Sequence, residues 1–459
     1  MQFRPPRKSI KIIELLTEAG ASDCLFVGGC VRDFFLGIES KDIDIEVYGL
    51  DYDKISSVLS KHFRVDLVGQ SFGVIKVDNV IDVGIPRRES KIGIGHTGFH
   101  VETDSTLTPE EAFGRRDFTI NAIGMRLDGS VCDPYGGHKD LCRKILRATT
   151  DSFGEDPLRV LRGMQFTARF GFDADNRTLE LCRSLLPEFE TLASERIWTE
   201  WYKWAVKGKY LSKGLQFLRD CGWIEKFPEI NALVGCLQNP HWHPEGDVFV
   251  HTQHACNEAV KLADEYELDD KDRAILVFAT LCHDFGKPPT TYLSDKGHWV
   301  SPGHAGMSGP LAEIFLERMR APKWLIEQVV PLAVEHMAHN STPETEIPHS
   351  SVVRRLATRL DPATIKMWGL VCQSDSRGCG GLKDRRNRVQ HWLEVADQLA
   401  VSDAKPIPLL FGRDLLTLNM QPGPKMGKIL KAAYEAQLDG VIKTKEEAIQ
   451  WVNEHVFFG

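Results

Sequence analysis

LFVGGCVRDFFLGIESKDIDIEV, residues Leu25–Val47, holds a glycine pair, an arginine and two aspartates one residue apart in a single short run. LFVGG reads as a buried strand entering a turn, VRDFFLG as the start of a helix, and DIDIEVYGL alternates as a strand does. Asp42 and Asp44, at i and i+2 of that strand, therefore project from one face. Two carboxylates so placed suit Mg²⁺, which prefers hard oxygen ligands completed by water and substrate phosphates. Two such ions about 3.5–4 Å apart can clamp an in-line displacement. Asp82, in VIDVG on a neighbouring strand, supplies a candidate third carboxylate. Gly28 and Gly29 let the backbone approach a triphosphate at a helix start, and Arg32 is placed to hold phosphate.

Outward from this run, residues 8–19 (KSIKIIELLTEA) show helical spacing, and VIKVDNVIDVGIP at 74–86 reads as two strands around an Asp-Asn turn. Beyond about residue 150 the signals become helical. A Pro, His and Gly cluster at 238–249 (QNPHWHPEGDVF) and a weaker break at 402–408 (SDAKPIP) mark boundaries. A chain of 459 residues exceeds one core. The expected fold class is an α+β head with a small mixed sheet followed by an all-α body. Its divisions are a head at 1–145, a helical neck at 146–237, a third domain at 238–400 and a helical tail at 401–459.

Hydrophobic content of 42% and charged content of 26% are those of ordinary globular chains, and no apolar run is long enough to span a bilayer. The basic N-terminus passes straight into a helical period without a small-residue cleavage site, so the expectation is a cytoplasmic protein. Eleven cysteines without a C-x-x-C pair fit reduced thiols. A net charge of −8 argues against a surface coated for nonspecific nucleic-acid binding.

GGCVRD, then DID, RRDFTINAI at 115–123, DPYGGHKDL at 133–141 and EDPLRVLR at 155–162 follow in an order that resembles the class II tRNA nucleotidyltransferase and bacterial poly(A) polymerase family. The resemblance covers essentially the whole chain. It implies template-independent addition of nucleotides to an RNA 3′ end, with tRNA, CTP and ATP as partners and Mg²⁺ on Asp42 and Asp44. It also implies that Arg116, Asp117 and Asn121 hold ribose and phosphate. Asp156 and Arg159, neighbours on one helical face, can match the Watson–Crick edge of cytosine or adenine, and in similar enzymes they select the base. Glu155 and Arg162 would orient or extend that pair. One departure is Gln165, where many relatives carry another arginine.

Family members add CCA, only CC, only A, or poly(A). The long polar segment at 87–114, upstream of the RRD motif, has the composition of a mobile lever, which CC-limited relatives lack. The chain also ends without the strongly basic extension of many poly(A) polymerases. Both features favour CCA addition, with CC-only, A-only and poly(A) synthesis as alternatives. The stretch 411–440 resembles the tail of CCA-adding enzymes, whose expected role is docking tRNA. Arg196, Lys203, Lys207, Lys209 and Lys213, interleaved with Trp198 and Trp201, read as solvated helix charge over core tryptophans.

A second constellation lies at His251, the adjacent His283 and Asp284 in LCHDFGKP, and Asp375. Its order, H…HD…D, resembles the HD phosphohydrolase superfamily and implies a divalent transition metal or Mg²⁺ that activates water. His304 and His336 lie where some relatives hold a second ion, while His241 and His243 read as core residues. An HD phosphodiesterase or phosphatase whose head only positions RNA is the alternative of another class. The sequence leaves the oligomeric state open.

Overall fold

A seven-stranded mixed sheet forms around the run quoted above. In the computed structural model, which describes residues 3–40, 42–66, 73–91, 99–343, 345–379 and 386–457, helix α1 (Arg7–Glu18) buries Ile12, Ile13, Leu15 and Leu16. Strand β1 (Asp23–Val27) follows, its Leu25, Phe26 and Val27 all buried, then helix α2 (Gly29–Phe35) and strand β2 (Ile43–Tyr48). Strands β3 (Val65–Asp66), β4 (Val74–Val77) and β5 (Ile81–Gly84) complete one side. The expected Asp-Asn turn joins β4 to β5, with Asp78 and Asn79 at φ of 49° and 60°, a conformation short polar side chains tolerate.

Strands β6 (Arg87–Lys91) and β7 (Phe99–Thr103) pair antiparallel as a separate ladder. The segment expected to be a mobile lever is therefore partly a regular hairpin, and its residues 92–98 lie outside the described residues. Strands β8 (Gly124–Met125) and β9 (Val131–Cys132) close the sheet in the order β3-β4-β5-β2-β1-β8-β9. Within this sheet, among the described residues, only β2 and β5 run parallel, with Asp44 opposite Asp82. Along β2 the alternation is clean: Ile43, Ile45 and Val47 are buried while Asp44 and Glu46 face the other way. Helices α3 (Leu158–Phe170) and α4 (Ser194–Lys207) carry the neck.

The chain divides into compact units of residues 1–226 and 227–459, coarser than the four parts expected. In the second unit, α5 (Val248–Glu265) packs on α6 (Asp270–Cys282) and on α9 (Ile365–Gly378), and α7 (His304–Arg318) packs on α8 (Lys323–Glu335). Asp247 and Asp269 cap α5 and α6 by accepting from Val250 and Asp272 amides. At Gly286 a Cβ would lie 2.0 Å from the His304 carbonyl oxygen, so glycine lets the chain leaving Asp284 pass against the start of α7. Helix α10 (Pro424–Asp439) sits on its own apolar cluster that includes Leu415, Met426, Ile429 and Ile442. All eleven cysteines are free, eight of them buried. Among the described residues no helix is long and apolar enough to cross a membrane.

Candidate active site

The polar edge of β2, the turn before α2 and the inner faces of α3 and α4 enclose a cavity of about 690 Å³, large enough for a nucleotide. Gly28 begins it. Its φ of 68° requires glycine, and an added Cβ would lie 3.0 Å from Arg116 Nη1 and 3.7 Å from Asp44 Oδ2. The glycine thus sets how closely the backbone approaches the acidic edge.

Burial lifts the Asp44 carboxyl above its ordinary range; Arg116 opposes this, and the charges of Asp82, Asp42 and Glu46 add to it. A half-buried carboxylate crowded by three others is relieved by a cation, and hard oxygens in this number fit Mg²⁺. Asp42 differs from the expectation. It is exposed just ahead of β2 and is not among the residues lining the cavity, although its charge acts on Asp44. Glu46 continues the same alternation and was missed. Both its oxygens are engaged, one by Arg116 Nη2 at 2.9 Å and the other by the Tyr48 hydroxyl.

The remaining expected residues Gly29, Arg32, Arg116, Asp117, Asn121, Asp156, Arg159 and Arg162 all line the cavity. Arg32 is buried, donating to Asp33 at 2.8 Å and Asn121 Oδ1 at 2.6 Å, with its guanidinium over Phe170. Asp117 accepts from Arg162 Nε at 2.7 Å and Asn121 Nδ2 at 2.9 Å. Burial pushes its pKa up, yet Arg162's charge and these hydrogen bonds hold it below the usual carboxylate value. The Asp156 carboxylate and the Arg159 guanidinium do not bond each other among the described residues; the residues are joined only through the Arg159 amide, which donates to the Asp156 carbonyl at 3.0 Å. Arg159 donates to the Ser152 and Arg115 carbonyls at 2.6 and 2.8 Å, while Asp156 Oδ2 accepts from Arg196 at 2.8 Å. Glu155 instead pairs with Arg115 at 2.8 Å. Gln165 is buried against the same cavity.

The helix charges expected to be solvated divide in two. Arg196, Lys203 and Lys207 of α4 line the cavity; Lys209 and Lys213 do not. Trp201 is buried, as expected.

In the second unit, His251 from α5, His283 and Asp284 after α6, His304 from α7, His336 after α8 and Asp375 from α9 converge. Each histidine is anchored at Nδ1. His283 donates to the Thr280 carbonyl at 2.6 Å, His304 to Ser301 at 2.8 Å, His336 to Ala333 at 2.7 Å, and His251 to Glu245 Oε1 at 2.8 Å. That fixes the tautomer and turns every Nε2 inward. His251 Nε2 lies 3.0 Å from Asp375 Oδ1, and His283 Nε2 lies 3.2 Å from Asp284 Oδ2. His304 Nε2 and His336 Nε2 face each other at 3.3 Å, with Asp284 Oδ1 3.5 and 3.9 Å away.

Burial pushes His304 down, and it pushes His336 to about 3, so both rings are neutral. Two lone pairs facing one another beside a carboxylate are repulsive until a cation separates them. At His251 burial favours the neutral ring, but hydrogen bonds to Asp375, Cys379 and Glu245 prevail and raise its pKa well above normal. A metal there would displace that proton. These six donors fall into two groups of three, His251, His283 and Asp375, and Asp284, His304 and His336, and His251 also belongs to a third group with His243, Glu245 and Cys379.

A cavity of about 780 Å³ opens beside them, lined also by Lys287, Arg388, Trp242 and Trp299. Lys287 Nζ lies 2.7 Å from Asp284 Oδ2. The expectation for His241 and His243 is corrected: His241 is exposed, and His243 is half-buried with its Nδ1 2.9 Å from Glu245. Glu245 thus joins two histidines through one oxygen, and burial, which would raise its pKa, is outweighed by those bonds, bringing it to about 2.

Residues 24–147 match the poly A polymerase head domain family, and residues 375–452 match a family described as putative tRNA nucleotidyltransferase domain 2. The chain is 34% identical over 387 residues to the multifunctional CCA protein of Acinetobacter baumannii (strain SDF), covering 82% of this chain and 89% of that protein. It is 36% identical over 375 residues to the multifunctional CCA protein of Vibrio campbellii, covering 78% and 86%. The fold is similar to the CCA-adding enzyme of Bacillus stearothermophilus in complex with CTP, with a TM-score of 0.66, 20% identity and 99% of each chain covered. It is also similar to the Thermotoga maritima CCA-adding enzyme complexed with tRNA-CCA, with a TM-score of 0.59, 17% identity, and coverage of 98% and 96%.

Proposed function

The chain belongs to the family of bacterial-type CCA-adding tRNA nucleotidyltransferases, and from that premise we propose that it transfers CMP and AMP from CTP and ATP to the tRNA 3′ end in the cavity around Asp44. Its reaction class is nucleotidyl transfer and its product the CCA terminus. The observation that best supports placing the reaction here is the acidic edge of Asp44 and Asp82 set against a glycine turn and a wall of guanidinium groups.

Asp44, with Asp82 and Asp42 beside it, would hold Mg²⁺, which when bound lowers the pKa of the attacking 3′-hydroxyl and neutralises the leaving pyrophosphate. Gly28 and Gly29 keep side chains out of the triphosphate's path. Arg32 and Arg116 are held in place by Asp33, Asn121 and Glu46, so little reorganisation accompanies their contact with phosphate. The Asp117–Arg162 pair and Asn121 stiffen the floor where ribose would lie. Asp156 accepts and Arg159 donates, a pattern that fits the amino group and ring nitrogen shared by cytosine and adenine and opposes uracil and guanine. On α10, Lys425, Lys428 and Lys431 are exposed along one side and suit contact with the phosphates of tRNA.

The histidine–aspartate cluster supports an auxiliary HD-type phosphohydrolase. Asp284 stands between two donor groups that would each hold a divalent ion, and ions bound there would supply activation of water toward a phosphoester. Lys287 and Arg388 offer positive charge to that ester at the cavity wall.

The test uses tRNA ending before CCA, with labelled CTP and ATP supplied separately and together and products resolved by length. CC from CTP alone and CCA from the mixture are expected. A product that stops at CC in the mixture, an adenosine ladder, or no incorporation of CTP would overturn full CCA addition.

A further inference from the structure

We infer that Arg169 is a phosphate-binding residue: beside Arg32, it contacts the outer phosphates of the incoming nucleoside triphosphate, those that leave as pyrophosphate. The inference rests on the reading that CTP and ATP lie in the cavity around Asp44.

Arg169 stands in the last turn of α3, seven residues beyond Arg162 and ten beyond Arg159. At about 1.5 Å of rise per residue these are separations of about 10 Å and about 15 Å along the helix. With the base at Asp156 and Arg159, Arg169 stands level with the far end of the triphosphate. Its side chain lines the cavity and is about three-quarters buried, at 24% exposure. A cation that served only the helix C-terminus needs no such enclosure.

Arg32 and Arg169 are carried on the same phenyl ring and share one carboxylate. Each guanidinium carbon lies 4.9 Å from the Phe170 centroid, and Phe170 stacks on Phe166 with centroids 5.9 Å apart. Aromatic faces hold the planar groups while leaving their N–H edges open. Asp33 Oδ1 accepts from Arg32 at 2.8 Å, whereas its Oδ2 lies 3.5 Å from Arg169 Nη2, too long for a strong hydrogen bond. Arg169 is thus the less well paired of the two. Burial and the charge of Arg32 push its pKa down, against Asp33. An arriving polyanion relieves both effects.

Gln165 makes that charge matter. It lies one turn before Arg169 on the same helical face and carries an amide where many relatives carry an arginine. Its Nε2 is shut away from solvent with no hydrogen-bond partner among the described residues. Position 165 therefore gives an entering phosphate no cation, and on that face the next turn does.

The experiment compares equilibrium binding of CTP and CMP, and of ATP and AMP, to the full chain, with Ca²⁺ in place of Mg²⁺ so that nothing turns over. Arg169→Met is expected to weaken CTP and ATP about 10- to 100-fold, the scale of a hydrogen bond between charged groups. Affinity for CMP, AMP and tRNA should hold at the wild-type value, because none of them carries the outer phosphates. An unchanged ratio of CTP to CMP affinity, or an equal loss for both, would overturn the inference. So would a loss confined to tRNA, which would put a phosphate of the RNA at Arg169 instead.

If Arg169→Met fails to fold, Arg169→Gln removes the charge while keeping a polar side chain, and an unchanged ratio in that variant has the same force. The wild type separates the two levels. Wild-type protein that binds CTP no more tightly than CMP removes the triphosphate from this cavity and the inference with it. Discrimination present in the wild type and undiminished without Arg169 removes only the inference.

Discussion

The two clusters of charge in this chain are built on opposite plans. Around Asp44 the acidic groups come from neighbouring strands and remain exposed to one cavity, while the arginines opposite them already have protein partners. Around Asp284 the donors come from five separate helical segments, each imidazole is pinned at Nδ1, and the groups left facing one another are Nε2 atoms and carboxylates. The first arrangement suits an ion that arrives with its substrate's phosphates; the second suits ions held by the protein itself. A site whose metal is shared with substrate needs only a few carboxylates on one edge. A site whose metal is resident depends on a shell of orienting groups.

The largest effect expected from that contrast is at Asp44. Asp44→Asn should lower incorporation of both CTP and ATP by about three orders of magnitude or more in single-turnover extension, since metal stabilisation of transferred charge is worth several kcal/mol. Melting temperature should not fall, because the substitution removes a charge crowded by Asp82, Asp42 and Glu46. A rate within tenfold of wild type would dissolve the contrast from the head side.

At the other cluster, His304→Ala or His336→Ala should reduce bound Mn²⁺ or Ni²⁺ by one ion per chain in elemental analysis, with nucleotide addition unchanged. Loss of both ions, or of none, would contradict two donor groups meeting at Asp284. Glu245→Ala should weaken metal affinity about 10- to 100-fold by titration, the usual effect of removing a group that orients a ligating histidine. An unchanged affinity would mean that His251 does not need its carboxylate partner. Smallest is Lys428→Ala on α10: the slope of log affinity for tRNA against log salt should shrink by up to about one unit, as one phosphate contact predicts. An unaltered slope would detach α10 from tRNA binding.

The elements nearest the opening run were legible because local rules governed them. A buried strand, a glycine turn with positive φ and a strand with polar and apolar faces each follow from spacing alone. The same alternation would have exposed Glu46, had it been followed one step beyond Asp44. Arg196 lay beyond such rules. Its partner Asp156 is forty residues away, and a basic, tryptophan-rich helix looks the same whether its charges meet water or a cavity. The histidine cluster was half visible: the ligand types and their order could be read, but the anchors at Thr280, Ser301 and Ala333 are backbone carbonyls with no sequence signature. Glu245 was overlooked and His243 misjudged because a Pro and Gly cluster reads as a boundary, and nothing in it tells which side chains fold back onto a helix.

The most direct test crosses the two sites. Asp44→Asn and Asp284→Asn are each assayed for CCA addition to tRNA and for bound transition metal. Asp44→Asn should lose addition while keeping its metal, and Asp284→Asn should lose metal while adding CCA at the wild-type rate. CCA addition that survives Asp44→Asn, or that disappears with Asp284→Asn in a folded protein, would contradict the assignment of nucleotidyl transfer to the cavity at Asp44.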